Sequence, residues 1–356
     1  MDAKTTLENY QNILEPLLAA FFAKAEPEAK AISPESLVAI RYLSEYSLRK
    51  AKRLRAALCY YTYLMMGGKQ KKEAMKASMF IEIIQSYLLI HDDIMDQDEK
   101  RRGGPTMHKI YEKVHKVKYS MQDPKHFGES MAINIGDIAC HLAMRLLTDS
   151  KFPAENRVRA VSRFHKQIVT VGFGQMMDVL SSVKSENSEE DVFRIHQFKT
   201  ATYTYQTPIS VGAILAGATD REVKILDGYS IPAGIAFQIR DDVLGMFGDE
   251  MTLGKATISD LREGKHTLLI IKALQKANKS GTKVITQALG NSNVTQEMAD
   301  KVREIIIDTG SLEYSKKMAK KFVDQAKKAL ARMPNWDGDG RKFLDGVADY
   351  MIIRDF

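Results

Sequence analysis

Apolar side chains recur three and four positions apart over long stretches of this chain. The pattern runs through residues 37–48, 74–92, 131–147, 158–180 and 302–331, and no segment shows a convincing alternation of apolar and polar positions. Spacings of three and four place apolar side chains on one face of an α-helix, whereas alternation indicates a strand. The pattern therefore predicts an all-α protein of ten or more helices.

The breaks between these helices are short loops. Only 9 prolines and 22 glycines occur in 356 residues, and no tract rich in serine, glycine or proline separates two halves of the chain. The length alone would fit roughly two to three domains. Because no linker is evident, we expect residues 1–356 to form one large helical domain.

Composition narrows the class of protein without selecting a ligand. The 52 basic and 45 acidic side chains give a formal net charge of +7, which suits acidic ligands of several kinds. Basic segments interleaved with aromatic residues, which are typical of nucleic-acid binding, are not evident. The two cysteines fit a reducing compartment, the N-terminus lacks a signal-peptide pattern, and the apolar stretches are too short to cross a bilayer. We therefore expect a cytoplasmic protein with no transmembrane segment.

Two acidic clusters each follow an apolar helical run. The first contains Asp92, Asp93 and Asp96, and the second contains Asp241 and Asp242. Like charges on one helix face, at the negative end of the helix dipole, cost stability unless a cation lies between them. All-oxygen ligands favour Mg²⁺. For either cluster alone a solvated helix end is an equal alternative, but two clusters facing one cavity predict a shared metal site.

Basic side chains near both clusters could bind an anion that the metal bridges. They are Lys52, Arg55, Arg101, Arg102, Lys199, Lys255 and Lys265. Arginine suits phosphate oxygens in pairs, while lysine acts as a point charge. For any one of these residues a solvated basic face is the simpler interpretation, so the prediction of a phosphate ester as ligand rests on the set.

Several motifs, taken together, resemble the trans-isoprenyl diphosphate synthases, and most closely those that make geranylgeranyl diphosphate. The motifs include HDDIMDQDEKRRGGPTMH (91–108), GFGQMMD (172–178), FKTATY (198–203), FQIRDDVLGMFGD (237–249) and LGKATISDLREGKHTLL (253–269). The resemblance covers nearly all of the chain beyond about residue 35. It implies a helical bundle around a deep central cavity, a homodimer, and condensation of isopentenyl diphosphate with an allylic diphosphate.

The resemblance also implies a role for individual residues. Three Mg²⁺ ions on the allylic diphosphate would be bound by Asp92, Asp96 and Asp241, with Asp93, Asp242, Gln175, Asp178 and Asp260 as supporting ligands. The same diphosphate would be held by Arg101, Lys199 and Lys255, and isopentenyl diphosphate by Lys52, Arg55, Gln85 and Arg102. Thr200 and Gln238 would line the reacting region, and Lys265 would help to close the site. The physical argument agrees, since metal ions and fixed cations stabilise a departing diphosphate.

The sequence departs from the family pattern at two places that matter for this site. Lys50 and Ala51 replace two glycines before Lys52, which affects the loop approaching the isopentenyl site. Gly245 replaces the last carboxylate of the second acidic motif. Some related synthases are similar at that position, so the change does not by itself predict an inactive protein.

Product length should depend on residues one or two helical turns before Asp92. The candidates are Tyr87, Leu88 and Ile84. In the family, an aromatic residue five positions before the motif resembles the twenty-carbon type. Helical angles alone would place Leu88 most nearly on the face of Asp92, so the residues themselves leave the choice open. A packed core aromatic is the structural alternative for Tyr87.

Three other functions compete with synthesis of geranylgeranyl diphosphate. The same chemistry could stop at farnesyl or continue to geranylfarnesyl diphosphate. A terpene cyclase could share the bundle, but it would need no isopentenyl site. A non-catalytic subunit of a heteromeric synthase would be expected to have lost aspartates, whereas this chain keeps five of the six motif positions.

Overall fold

A computed structural model describes residues 2–184, 186–248, 257–334, 336 and 338–353 of the chain. The candidate site residue Lys255 lies outside the described residues. Within them almost every element is helical, so the prediction of an all-α protein is confirmed.

The helices are numbered here in chain order. They are α1 (Ala3–Ile32), α2 (Pro34–Leu48), α3 (Leu54–Met65), α4 (Lys71–Met95), α5 (Met107–Lys118), α6 (Pro124–Thr148), α7 (Ala154–Val183), α8 (Glu189–Ile195), a π-helix (His196–Gln206), α9 (Thr207–Leu215), α10 (Asp220–Phe247), α11 (Ser259–Arg262), α12 (Leu268–Lys276), α13 (Lys279–Ala288), α14 (Gln296–Asp308), α15 (Ser311–Ala331) and α16 (Gly338–Ile353). Two short strands, β1 (Lys100–Arg101) and β2 (Gly104–Pro105), pair antiparallel.

Long helices form the frame of the bundle. Helix α4 packs mainly against α6 and α3, and α10 packs against α15 and the π-helix, which also contacts α7. The apolar stripes seen in the sequence become the buried faces of these helices, as Phe80, Ile83 and Ile84 do on α4. The largest buried cluster draws on residues from Ala3 to Ala348. This packing leaves a cavity between α4, α7, the π-helix and α10.

The two acidic clusters occupy different places on their helices. Helix α4 ends at Met95 with Asp96 as its C-cap, as the sequence predicts. Helix α10 continues to Phe247, so Asp241 and Asp242 lie within its last two turns rather than at its end. An uninterrupted helix through the second cluster keeps Asp241, Asp242 and Gly245 in a fixed helical relation.

Two local structures were not expected from the pattern. The strand pair β1–β2 turns through Arg102 and Gly103, whose φ angles are 52° and 77°. Such a pair of positive φ values is typical of the tight two-residue hairpin turn. The π-helix carries the FKTATY motif, and π-helical turns occur preferentially at functional sites. No helix within the described ranges is long and apolar enough to cross a membrane.

Candidate active site

The cavity has a volume of about 620 Å³ and is lined mainly by α4, α7, the π-helix and α10. Its polar part contains Asp92, Asp178, Lys199, Asp241 and Lys265. Its apolar part contains side chains further back along α4 and α7, among them Leu88, Leu89, Ile168 and Val171. An elongated ligand with a charged head and an apolar tail would match this division.

Asp92 lies at the centre of the polar part. One of its oxygens accepts a hydrogen bond from Gln175 at 3.1 Å and lies 3.4 Å from Nζ of Lys199. Lys199 also donates to Asp178 at 2.5 Å. Burial opposes the charged form of Lys199, but Asp92 and Asp178 outweigh it and hold its pKa above the usual value. Three helices therefore contribute to one charged group.

Asp96 faces a second lysine. Nζ of Lys265 donates to Asp96 at 3.0 Å and also contacts Glu263. Burial and then the charge of Asp92 raise the pKa of Asp96, while Lys265 counteracts both. The carboxylate oxygens of Asp96, Asp98 and Glu263 lie within 4.8 Å of one another.

Asp93 points away from the cavity. It is fully buried, accepts a hydrogen bond from Tyr46 at 2.6 Å, and accepts another from Arg101 at 2.6 Å. Burial raises its pKa to about 6, against the effect of Arg101. The structure therefore places Asp93 as a holder of Arg101. Neither Asp93 nor Asp96 is on the described cavity wall, and their expected roles at the metal stay predictions.

The hairpin β1–β2 brings two arginines to the cavity. Arg101 is bound by Asp93 and by Asp98 at 2.7 Å, and Arg102 follows it in the turn. Burial lowers the pKa of Arg102 to about 10. A positive φ is unfavourable for arginine, and backbone strain of this kind concentrates at functional sites.

The residues expected to hold isopentenyl diphosphate are only partly brought together. Arg55, Gln85 and Arg102 all line the cavity. Arg55 donates to Thr204 at 2.8 Å and its guanidinium lies 5.2 Å from the centre of the Tyr203 ring. Lys52 does not line the described cavity, and its Nζ lies 5.4 Å from the centre of the Tyr350 ring.

The π-helix fits closely between α7 and α10 because both neighbours place a glycine against it. A Cβ on Gly174 would lie 2.3 Å from the backbone nitrogen of Lys199, and a Cβ on Gly234 would lie 2.4 Å from Cα of Ala201. These distances are too short for any side chain. The glycines let the backbone that carries Lys199 and Thr200 approach both helices.

A chain of hydrogen bonds links the π-helix to the second acidic cluster. Thr200 donates to Gln238 at 2.8 Å, and Gln238 donates to Asp242 at 2.7 Å. Nε2 of His196 lies 3.1 Å from the other oxygen of Asp242. Asp242 is therefore held by Gln238 and lies against His196, and both Asp241 and Asp242 line the cavity.

A neighbouring carboxylate lies close to Gly245. A Cβ on Gly245 would lie only 2.7 Å from Oδ2 of Asp260, which comes from α11. Both residues line the cavity. The carboxylate of Asp260 thus occupies the space next to the position where the family motif carries its last acid.

Of the three candidate chain-length residues, two line the cavity. Tyr87 and Leu88 are both on its wall, and Tyr87 packs edge-on against His91 with ring centres 4.9 Å apart. Ile84 is fully buried in the core and is not on the wall. A residue two turns before Asp92 on α4 therefore faces the core, and Ile84 can affect the cavity only through its neighbours.

The donor set fits Mg²⁺. The carboxylates of Asp92, Asp178, Asp241 and Asp260 line one polar cavity, together with the amide of Gln175. Oxygen ligands of this kind, next to basic side chains that can hold phosphate, are typical of Mg²⁺ sites that share their ion with a phosphorylated substrate.

Sequence reasoning missed the residues that support this wall. They include Tyr46, Arg49, Asp98, His196 and Glu263, each of which contacts a candidate site residue. Their partners are remote in sequence or lie in turns, so no periodic pattern marks them.

Comparison with known proteins identifies the family. The family model for polyprenyl synthetases matches residues 38–306. The chain belongs to this polyprenyl synthetase family. It is 34% identical to the geranylgeranyl diphosphate synthase of Sulfolobus acidocaldarius, over 85% of this chain and 87% of that protein. It is 33% identical to the geranylfarnesyl diphosphate synthase of Aeropyrum pernix, over 85% and 90%.

A solved structure has the same fold. The geranylgeranyl pyrophosphate synthase of Corynebacterium glutamicum, complexed with isoprenyl diphosphate and magnesium, superposes with a TM-score of 0.92 at 30% identity, over 98% of this chain and 99% of that chain. The present protein is a trans-prenyltransferase of an Mg²⁺-dependent family, as the sequence predicts.

Proposed function

We propose that this enzyme condenses isopentenyl diphosphate head-to-tail with an allylic diphosphate and releases geranylgeranyl diphosphate. The observation that carries the proposal is the division of one cavity into a part lined by carboxylates and basic side chains and a part lined by apolar side chains. Relatives that make geranylgeranyl diphosphate support the product, and a geranylfarnesyl diphosphate synthase among them keeps a longer product as the alternative.

The allylic diphosphate would bind at the polar end. We assign three Mg²⁺ ions to this diphosphate, held by Asp92 and Asp96 on one side and Asp241 on the other. Gln175, Asp178, Asp242 and Asp260 would act as supporting ligands or hold metal-bound water. Bound Mg²⁺ would supply positive charge to the diphosphate as it departs.

Lysine and arginine side chains would bind the same diphosphate directly, in addition to the metal ions. Lys199 lies beside Asp92, Arg101 is held by Asp93 and Asp98, and Lys265 lies beside Asp96. Preorganised charges of this kind stabilise developing negative charge because they need no rearrangement during the reaction. Lys255, which lies outside the described residues, keeps its expected role at the same diphosphate.

Isopentenyl diphosphate would bind next to this site, at Arg55, Gln85 and Arg102. Lys52 would join them by turning away from Tyr350 when the diphosphate is present. The double bond would attack the allylic carbon as its C–O bond breaks, with the electron pair leaving on the diphosphate. The departed diphosphate would then take up the proton that the isopentenyl unit loses when its new double bond forms.

Thr200 and Gln238 would line the region where the new bond forms. Their mutual hydrogen bond fixes both side chains, and Gln238 is fixed further by Asp242. Phe237 and Leu244 on α10 also line the cavity and would limit access of water to the reacting carbon.

The growing tail would extend along α4 past Leu88 toward Tyr87. Tyr87→Ala should lengthen the product if Tyr87 closes the cavity, and Leu88→Ala tests the alternative. Ile84→Ala is the matched control, because it removes a buried side chain from the same helix without opening the cavity wall. Unchanged product length in Tyr87→Ala would reject Tyr87 as the limiting residue.

A homodimer completes the proposal. The neighbouring helices α6 and α7 expose large apolar side chains, namely Ile133, Ile138, Val169, Phe173, Met176 and Leu180, each at least 42% exposed. A face of this kind is typical of an interaction surface, and a second copy of the chain would cover it. We also propose that the chain acts as one domain in the cytoplasm, where its two free cysteines would stay reduced.

The direct test is an assay with isopentenyl diphosphate, Mg²⁺ and dimethylallyl, geranyl or farnesyl diphosphate in turn. We expect a twenty-carbon product that disappears with EDTA. A farnesyl or geranylfarnesyl product would keep the chemistry and correct the length. Cyclic products, or no product with any starter, would reject the proposal in favour of a cyclase or a non-catalytic subunit.

A further inference from the structure

Arg49 is almost completely buried although it lies outside the cavity. Its side chain is 6% exposed, and it forms the C-cap of α2. Nε and one terminal nitrogen bind the two oxygens of Glu45 at 2.8 and 2.7 Å. A buried guanidinium must have partners for its remaining donors.

Those donors go to the backbone of the hairpin. The other terminal nitrogen, Nη1, donates to the carbonyl oxygens of Arg101 at 3.0 Å and Pro105 at 2.9 Å. One oxygen belongs to β1 and the other to β2, so Arg49 joins both strands on either side of the turn. The planar guanidinium suits such a fixed arrangement better than lysine would.

Gly104 makes room for this contact. A Cβ at Gly104 would lie 2.6 Å from Cζ of Arg49. The hairpin therefore accommodates the guanidinium by having no side chain at this position.

The same helix end holds Arg101 by a second route. Tyr46, one turn before Arg49, donates to Asp93, which in turn accepts from the side chain of Arg101. Helix α2 thus fixes the side chain of Arg101 through Tyr46 and its backbone through Arg49. Arg102, the next residue, is in a strained conformation that persists only when its surroundings fix it.

We propose that Arg49 is a positioning residue that fixes the Arg101–Arg102 turn for diphosphate binding. The inference rests on the proposed function, because it assigns those two arginines to substrate. It also concerns the loop after α2, where the sequence departs from the family pattern. The loop that begins at Lys50 and Ala51 lacks the family's two glycines, and Arg49 anchors its first end. The backbone oxygen of Arg49 accepts a hydrogen bond from buried Arg53, which anchors its other end.

The test compares Arg49→Gln with Arg341→Gln. Arg341 also donates to backbone oxygens, at Leu330 and Pro334, but lies away from the cavity. We expect Arg49→Gln to raise KM for isopentenyl diphosphate about tenfold, since small displacements of binding groups have effects of this size. Arg341→Gln should leave the same KM within about twofold of the wild-type value. This should hold even if its melting temperature falls as much as that of Arg49→Gln.

Gly104→Ala provides a second variant that keeps Arg49. The added methyl group should displace the guanidinium and raise the same KM. The double variant should have nearly the same KM as either single variant, because both changes break the same contact. Unchanged KM in both folded variants, or fully additive effects, would overturn the proposal.

A binding measurement separates this proposal from the proposed function. Calorimetry measures the affinity for inorganic diphosphate in the presence of Mg²⁺, and so tests binding by the two arginines without turnover. A wild-type protein that binds diphosphate but does not elongate would reject the proposed function only. Equal affinities in wild type and Arg49→Gln would reject the role of Arg49, whatever the activity.

Discussion

At the end of α4 each of the three carboxylates lies beside a basic side chain, whereas Asp242 on α10 is held by an amide and an imidazole. Asp92 faces Lys199, Asp93 faces Arg101 and Asp96 faces Lys265. Asp242 accepts from Gln238 and lies next to His196. Asp242 is therefore supported by different side chains from the three carboxylates of the first motif.

The difference bears on how the site functions. Clustered carboxylates repel each other, and the lysines at the first cluster offset this cost before any metal is present. Once Mg²⁺ neutralises Asp92 and Asp96, we expect the same lysines to be available to the diphosphate. Asp242 would instead keep its place throughout, because the amide of Gln238 binds its carboxylate and carries no charge to offer the diphosphate.

Of the substitutions that test the difference between the two clusters, the one at Asp92 should have the largest effect on activity. Asp92→Asn keeps the shape of the side chain but removes the charge that would bind metal and that faces Lys199. We expect kcat/KM to fall about 10³-fold, comparable to the loss of one key stabilising group in other enzymes. Steady-state kinetics at saturating Mg²⁺ measure the effect.

Asp324→Asn is the matched control for this change, since Asp324 is an exposed acid on α15. It should leave kcat/KM within about twofold. Comparable losses in the two variants would show that the effect at Asp92 is only one of net charge.

The second cluster is tested at Gly245. Restoring the family carboxylate with Gly245→Asp should lower activity about tenfold instead of improving it, because the new side chain would meet Oδ2 of Asp260. Adding Asp260→Asn should recover part of the loss. Higher activity in Gly245→Asp alone would contradict the view that Asp260 leaves no room for a further acid at this position.

The smallest effect is expected at His196. His196→Gln removes the ring beside Asp242 but leaves the hydrogen bond from Gln238 in place. We expect kcat to fall only about threefold, because Asp242 keeps its hydrogen bond from Gln238 and loses only the neighbouring ring. A loss as large as that of Asp92→Asn would mean that the two clusters do not differ in the way described.

The helices and the residue types at the site could be predicted from the sequence. The direction of some side chains and the π-helix could not. Spacings of three and four predict the buried faces of α4 and α7, and the repeated acidic motif indicates where the cavity has its polar end. The sequence could not show that Asp93 turns toward Tyr46. Helix geometry directs adjacent side chains about 100° apart, but tertiary packing decides which neighbouring element each side chain meets. The π-helix also depends on tertiary packing, and Gly174 and Gly234 let α7 and α10 approach it closely.

The central claim is that both acidic clusters bind ions on a single diphosphate. Diffraction from crystals grown with Mn²⁺ in place of Mg²⁺ and an unreactive thiolo analogue of an allylic diphosphate tests it directly, because the anomalous signal locates each ion. We predict ions between the diphosphate and both Asp92 and Asp241, with Lys199 on the diphosphate. Ions confined to one cluster, or held by Asp98 and Glu263 away from the diphosphate, would contradict the account.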